Sequence, residues 1–290
     1  MTQRNALPRV FVSGPVSWNH LVFLDALPEP SPHTVFAQAD RFAIGGTSAG
    51  KAFNLTNLGA GVTLRTVLGD DADAAHLEQA LRAAGIHLLA ERADDGQTER
   101  HLNLMAPGGK RLSVYLHAAQ FEPRDPSSDV LAALAASEVA LIDLADHNRP
   151  LLRAARERGI PVWCDIHDWD GESEFHREFV DAADVLFMSA DRHPDPIAFL
   201  TERVAAGARA AVCTDGARGA VAVDETGARH VVAAEPVGRV VDTNGAGDGF
   251  IAAFCVSYLS DGDVATALAA GARQGAAVVQ SPELAPVMGS

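Results

Sequence analysis

Short runs of consecutive apolar residues, rich in valine and isoleucine, alternate along the chain with longer stretches in which apolar residues recur at helical spacing. Val10–Val12, Val62 onward to Gly69-Asp70-Asp71, Val139–Leu144, Pro161–Ile166, Val185–Met188 and Ala210–Thr214 read as strands, the last four buried on both faces. Between them, Ala72–Ala84, Pro150–Arg158, Glu174–Asp181 and Pro196–Ala206 read as helices, the first stopped by Gly85. This order predicts an α/β fold with a mostly parallel sheet. Two other segments follow a different pattern. Gln97–Met105 and Arg111–His117 alternate apolar and polar residues around Ala106-Pro107-Gly108-Gly109, which predicts a hairpin, and Val35–Ile44 reads as a further antiparallel strand. Together they predict a small sheet able to cover a site. A second hairpin is expected at Val221–Asp224 and His230–Ala233, and helices at Gly249–Leu259 and Val264–Gln280.

Composition narrows the function. The 290 residues are 48% hydrophobic, enough for a sizeable core, and carry a formal charge of −15. That charge argues against nucleic acid or an anionic membrane as partner. It leaves ATP open, because a few amides, a magnesium ion and one or two basic side chains can hold a triphosphate within an acidic protein. Cys164, Cys213 and Cys255 are scattered in apolar segments and read as reduced core residues. Residues 1–9 lack a basic-then-apolar signal pattern, so the expectation is a cytoplasmic enzyme.

Candidate chemistry concentrates at Val240-Val241-Asp242-Thr243-Asn244-Gly245-Ala246-Gly247-Asp248-Gly249-Phe250. Two β-branched residues are expected to end a strand, and an apolar run from Phe250 to Leu259 to form a helix. The turn between is then a helix N-terminus whose Gly245, Ala246 and Gly247 N–H groups lack helical partners and suit an anion such as phosphate. Asp248 sits in the same turn. A carboxylate beside an anion hole repels a stored phosphate but suits a general base that deprotonates a hydroxyl attacking it. From the turn alone, Asp248 is equally well an ordinary first-turn acid. Gly45-Gly46-Thr47-Ser48-Ala49-Gly50-Lys51 opens another helix and matches G-x-x-x-x-G-K. Ala52, however, stands where a phosphate-binding loop needs a magnesium-ligating hydroxyl, so close backbone approach to a small polar ligand is the better reading. Asp165, His167, Asp168 and His176 lack metal-ligand spacing and read as loop or pocket-wall residues.

Read with Gly45-Gly46, Leu58-Gly59-Ala60, Gly69-Asp70-Asp71 and Thr214-Asp215-Gly216-Ala217-Arg218-Gly219-Ala220, the D-T-x-G-A-G-D run resembles the ribokinase-like (PfkB) family of carbohydrate and nucleoside kinases, in order and spacing over nearly the whole chain. The resemblance implies one domain over residues 1–290, a three-layer α/β/α sandwich with a mostly parallel central sheet, and a small β-sheet lid from about 15–44 and 97–117. It implies transfer of the γ-phosphoryl group of ATP, with Mg2+, to a hydroxyl of a small sugar. Asp248 is then the base and Gly245, Ala246 and Gly247 the anion hole. Asp242 and Asn244 fall where relatives often bind a monovalent cation such as K+. Thr214, Gly216 and Gly219 border ATP, with Gly271 and Gln274 on the helix beside adenine. Asn19, Gly45, Gly46, Thr47, Gly50 and His101 are the expected sugar-binding positions, with Trp18, His20, Asn103 and His117 as further wall candidates.

Departures bear on the substrate. Asn19 stands where many members have an Asp gripping two sugar hydroxyls, and Thr47 and Gly50 replace the Lys and Asn of ribokinases, which argues against ribose itself. The N-x-x-E magnesium motif appears as Ser189-Ala190-Asp191-Arg192, where Asp191 is either a holder of a magnesium-bound water or a solvated loop acid. A nucleoside kinase would need an aromatic platform, and aromatic residues make up 6% of the chain, with Trp18 and Phe36 among the few near the site. A sensor that kept the fold without turnover is the alternative outside enzymes. An open lid edge near Val35–Ile44 predicts a homodimer, which light scattering would reveal.

Overall fold

The computed structural model describes residues 7–286. The chain opens with β1 (Arg9–Ser13), β2 (Ser17–Phe23), β3 (Ala39–Gly45), α1 (Thr47–Asn57), β4 (Gly61–Leu68), α2 (Ala72–Ala83) and β5 (His87–Arg92). It continues through β6 (Arg100–Ala106), β7 (Lys110–His117), α3 (Ser128–Ala135), β8 (Val139–Ile142), α4 (Arg149–Glu157), β9 (Val162–Asp165), α5 (Glu174–Ala182) and β10 (Val185–Ser189). It ends with α6 (Pro196–Ala205), β11 (Ala210–Thr214), β12 (Ala220–Asp224), β13 (Arg229–Val232), α7 (Ala246–Asp261) and α8 (Val264–Val278).

Nine strands form the main sheet in the order β13-β12-β11-β10-β9-β8-β1-β4-β5, all running one way except β12, which is antiparallel to both β11 and β13. The residues of β8 show why it takes two helical layers. Val139 and Leu141 point into a core built with α1, α2, α7 and α8, while Ala140 and Ile142 point into a second core built with α3, α4, α5 and α6. A strand buried on both faces must be apolar at every position, and all four residues are. Asp71, Ser127, Asp195 and Asp263 accept backbone N–H bonds at the starts of α2, α3, α6 and α8, each contributing roughly 1 kcal/mol.

A separate sheet of order β3-β2-β6-β7 forms the lid. Its central pair, β2 and β6, is parallel, and the β6–β7 hairpin turns through Gly108 and Gly109, both with positive φ. Every residue of β7 before His117 is exposed, so the lid is a single layer with one side open.

Two expectations change. The strand predicted at Val35–Ile44 begins only at Ala39, because Phe36 and its neighbours make no ladder bonds and lie exposed. Val240 and Val241 are not in a strand: the segment crosses back toward α7, and the Val241 N–H is bonded to the Val279 carbonyl at the end of α8. The strand β5 and the helix α3 carry no expectation from sequence.

Candidate active site

Strands β1, β8, β9, β10 and β11 deliver their C-terminal ends to one edge of the sheet, the usual ligand side of an open parallel sheet. Between that edge and the lid lies a cavity of about 920 Å³. Asn19, His101 and Tyr115 face it from the lid, and Asp165, Thr214 and Asp248 from the core.

Gly245, in the left-handed conformation at φ 75°, turns the irregular segment before it into α7. The Gly249 N–H donates to the Gly245 carbonyl at 2.8 Å, and the Ala246 N–H reaches back to the Thr243 carbonyl at 3.4 Å. The N–H groups of Gly245, Gly247 and Asp248 have no acceptor among the described residues, and the helix dipole adds positive potential there. Of the positions expected to form an anion hole, Gly245 and Gly247 keep free donors on the cavity wall. Ala246 spends its donor on the turn and lies off the cavity wall, and the Asp248 N–H joins the free set.

Behind this turn sits a buried ionic cluster. Lys51 projects from the second turn of α1 and is 1% exposed. Its Nζ donates to Asp248 Oδ1 at 2.8 Å and Asp165 Oδ2 at 3.1 Å, and lies 3.0 Å from Asp143 Oδ1. Burial opposes the ammonium charge, but Asp143, Asp248 and Asp165 hold its pKa well above the ordinary lysine range. Asp143, just past β8, also accepts from Ser48 Oγ at 2.6 Å and Thr47 Oγ1 at 3.2 Å. Asp165 accepts the His167 N–H at 3.0 Å; burial raises its pKa, but His167 and Lys51 bring it below the usual carboxylate value. His167 is the one non-glycine residue with positive φ, 52°, among the described residues, a costly backbone state for a residue on a cavity wall.

Asp248 differs from its two neighbours. Burial pushes its pKa up to about 6 against the pull of Lys51, with Asp143 and Asp165 adding to the rise. Its Oδ2 has no hydrogen-bond partner among the described residues, and the carboxylate lies directly over Gly50.

On the acceptor side, Asn19 packs over Gly45, whose missing Cβ makes the room, and takes a bond from Ser17 Oγ at 2.8 Å. Gly46 supplies the tight turn against Pro15, and Thr47 and His101 lie on the wall. The His101 ring packs tilted against Tyr115, 3.9 Å between centroids, with Nε2 2.9 Å from Glu99 Oε1. Gly50 is a correction: it is absent from the wall and backs Asp248. Asn103 lies on the wall, whereas Trp18 stacks between Phe42 and His76, His20 pairs with Asp40, and His117 pairs with Asp95.

On the opposite side Thr214 lines the cavity, as do Asp191, Asp242 and Asn244. Gly216 and Gly219 lie in the turn after β11, off the wall, and Gly219 passes beneath the chain leaving β13. Gly271 abuts the Phe250 ring, where a Cβ would be 2.9 Å from ring carbons, and Gln274 donates to Asn54 Oδ1 at 2.8 Å. Both hold α8 on its neighbours rather than facing the cavity, because α7 and α8 pack too closely there for a ligand. Arg218 is exposed and paired with Asp215.

A model of the pfkB family carbohydrate kinases matches residues 18–288. The chain belongs to the PfkB family. Acarbose 7(IV)-phosphotransferase of an Actinoplanes species is 30% identical over 271 residues, covering 92% of this chain and 90% of that protein. An ATP-dependent ribose-1-phosphate kinase of Halopiger xanaduensis is 30% identical over 265 residues, covering 90% and 88%. A microbiome-derived acarbose kinase superposes with a TM-score of 0.85 at 30% identity, covering 95% of this chain and 94% of that one. Arabidopsis thaliana ribokinase, solved with ribose and ATP, gives 0.83 at 21% identity, covering 98% and 97%, and supports the fold. This PfkB-family protein is thus an ATP-dependent sugar kinase with the ribokinase fold, and the reading as a sensor without turnover is set aside. Among the described residues no helix is long and apolar enough to cross a membrane.

Sequence reasoning missed Lys51 as a member of the site, along with Asp143, Glu99, Arg111 and Tyr115. For Lys51 a signal was present: a charged residue between Ala49-Gly50 and Ala52-Phe53, on a helix face otherwise small or apolar.

Proposed function

We propose that Asp248 is the general base of this kinase and that its acceptor is a neutral or cationic sugar of more than one ring. The observation that carries the first part is the unpartnered Oδ2 of a buried carboxylate at the start of α7, on the wall of the cavity between core and lid. An acceptor hydroxyl there gives its proton to Oδ2 as its oxygen attacks the γ-phosphorus, and the bond to the ADP oxygen breaks. The Gly247 and Asp248 N–H groups face the charge that builds on the transferred group, so catalysis rests on positioning and electrostatics.

Asp191, on the cavity wall, is the residue that would hold a magnesium-bound water beside the triphosphate. Such an ion would neutralise charge on the phosphates. Asp242 is 8% exposed, and its one side-chain hydrogen bond among the described residues comes from the Asn244 N–H at 2.8 Å. A buried carboxylate so lightly held suits a monovalent cation such as K+ beside the turn.

Wall charges favour the acceptor class. Glu99, Asp165, Asp168 and Glu283 line the cavity against Arg41 and Arg111, and Arg41 is already tied to Glu283 and the Pro282 carbonyl. A phosphorylated sugar would meet net repulsion, whereas the kinases named for acarbose point to an oligosaccharide-like acceptor. ADP release from Mg-ATP, with and without potassium, across acarbose, malto-oligosaccharides, hexoses, ribose 1-phosphate and nucleosides tests this. Turnover should be highest with an uncharged or amine-bearing oligosaccharide and should rise with potassium. Turnover confined to ribose 1-phosphate or to nucleosides would sink the acceptor assignment.

The base assignment also fixes a pH dependence. Asp248 works ionised, so with its pKa near 6, kcat/KM should be flat above that value and fall about tenfold per pH unit below it. A profile flat down to pH 5 would be incompatible with Asp248 in this role.

A further inference from the structure

We propose that Lys51 is a positioning residue for phosphoryl transfer, its buried ammonium gripping Asp248 by Oδ1 so that Oδ2 alone is presented to the acceptor hydroxyl. The inference rests on the reading of Asp248 as base and concerns how that base is held. Lys51 is the one charged residue of α1, and Ala49, Ala52, Phe53 and Leu55, buried around it on the same helix, are apolar. An ammonium there is costly to desolvate and is held only because three carboxylates surround it, so the lysine and its acids stand or fall as one cluster.

The three carboxylates around it are not equivalent. Asp143 uses Oδ2 on the Ser48 and Thr47 hydroxyls at the start of α1, and Asp165 uses Oδ1 on the His167 N–H. Each is fixed by its own element and turns its second oxygen toward Nζ. They form a rigid seat that centres the ammonium, and the bond left over goes to Asp248. Asp248 has no other side-chain hydrogen bond among the described residues, so Lys51 determines which of its oxygens is held and which is free. Lys51 does not line the cavity; it acts through Asp248.

The seat also sets the charge on the base. The charged groups around Asp248 are Lys51 from α1, Asp143 after β8 and Asp165 from β9, with His167 behind Asp165. From α8 the residues beside the start of α7 are Gln274 and Val278, neither titratable, and Glu283 of the C-terminal segment is engaged by Arg41. One cation therefore holds Asp248 ionised against burial and two like charges. Removing the cation and removing a neighbouring anion must move the titration of the base in opposite directions, which a purely structural role for the cluster would not do.

The test compares Lys51→Gln, Asp143→Asn and Asp248→Asn with the parent enzyme, using the best acceptor found, with kcat and KM measured from pH 5 to 9. Lys51→Gln keeps a donor but loses the charge. It should lower kcat by about a hundredfold, with acceptor KM changed by less than about threefold, and move the acid limb to higher pH. Asp143→Asn keeps the Ser48 and Lys51 contacts through its amide and should move that limb to lower pH. An acid limb unmoved in both variants, or a Lys51→Gln defect confined to KM, would overturn the proposal. If Lys51→Gln does not fold, the direction of the shift in Asp143→Asn decides the matter alone. Undiminished turnover in Asp248→Asn would overturn the base assignment and the role of Lys51 with it, whereas an inactive Asp248→Asn alongside an unmoved acid limb would overturn Lys51 alone.

Discussion

Asp248→Asn is expected to lower kcat by about 10²–10⁴, the range over which a positioned base accelerates proton transfer, equivalent to roughly 3–5 kcal/mol of transition-state stabilisation. The amide keeps the shape and can still accept from Lys51, so nucleotide binding measured by calorimetry should survive. Stability should move the other way. Asp248 is buried with its folded pKa raised to about 6, above that of an unfolded aspartate. A raised carboxyl pKa means that the charged form is disfavoured by folding, so its cost is absent below the unfolded pKa and is fully incurred once pH has risen through the folded one. At neutral pH the asparagine variant should therefore melt at the same temperature as the parent or above it, while Asp143 and Asp165 still neutralise Lys51. Catalytic residues commonly cost stability in this way. An Asp248→Asn protein that melts well below the parent, or that turns over undiminished, would mean that the carboxylate serves the fold and not the chemistry.

The residues legible in the sequence and those that were not differ in a physical way. Strands such as β8 and β11 declare themselves because burial on both faces forces every position to be apolar, and no other arrangement explains Val-Ala-Leu-Ile between polar stretches. The turn before α7 was legible for a related reason: glycines at a helix start have few purposes, and Gly245 does take the left-handed conformation. β5 was opaque because its residues are mostly half-exposed and its polar positions follow no strict alternation, and α3 because eight residues give too little periodicity to read. Val240 and Val241 misled for the opposite reason. Their β-branched character fits a strand, but the Val241 N–H bonds the Val279 carbonyl at the end of α8 instead of a neighbouring strand, a tertiary contact that local propensity does not reveal. The site was hidden in another manner. Lys51, Asp143 and Asp165 are separated along the chain and meet only because α1 is laid across the ends of β8 and β9. Gly271 and Gln274, placed beside a ligand by their position in the chain, turn out to be where two helices touch, a use of small residues that sequence position alone does not distinguish.

Gly50→Ala should separate activity from stability at the position where ribokinases carry a sugar-contacting residue. Within α1, replacing glycine by alanine favours the helix by about 1 kcal/mol, and position 50 has no positive φ that an alanine would strain. By local propensity the substitution should raise the melting temperature. The added methyl, however, would lie 2.9 Å from both Cβ and Cγ of Asp248 and closer still to Oδ2, distances that real Cβ atoms do not sustain. Neither α1 nor α7 can retreat easily, since Leu55 on one and Phe254 on the other are fully buried in the same core. Rotation of the Asp248 side chain relieves the Cγ and Oδ2 contacts but not the Cβ one, so the start of α7 must also shift, carrying the carboxylate off its bond to Lys51 and away from the acceptor hydroxyl. A displacement of about 1 Å at a reacting group costs on the order of a hundredfold in rate, so kcat should fall by about that factor while KM for the acceptor stays near the parent value. If Gly50 instead touched the sugar, the extra methyl would act on binding, and KM would rise with kcat preserved. The split between kcat and KM thus reports whether the absence of a side chain at position 50 makes room for the substrate or for the base that acts on it, and a kcat close to the parent's would refute the latter.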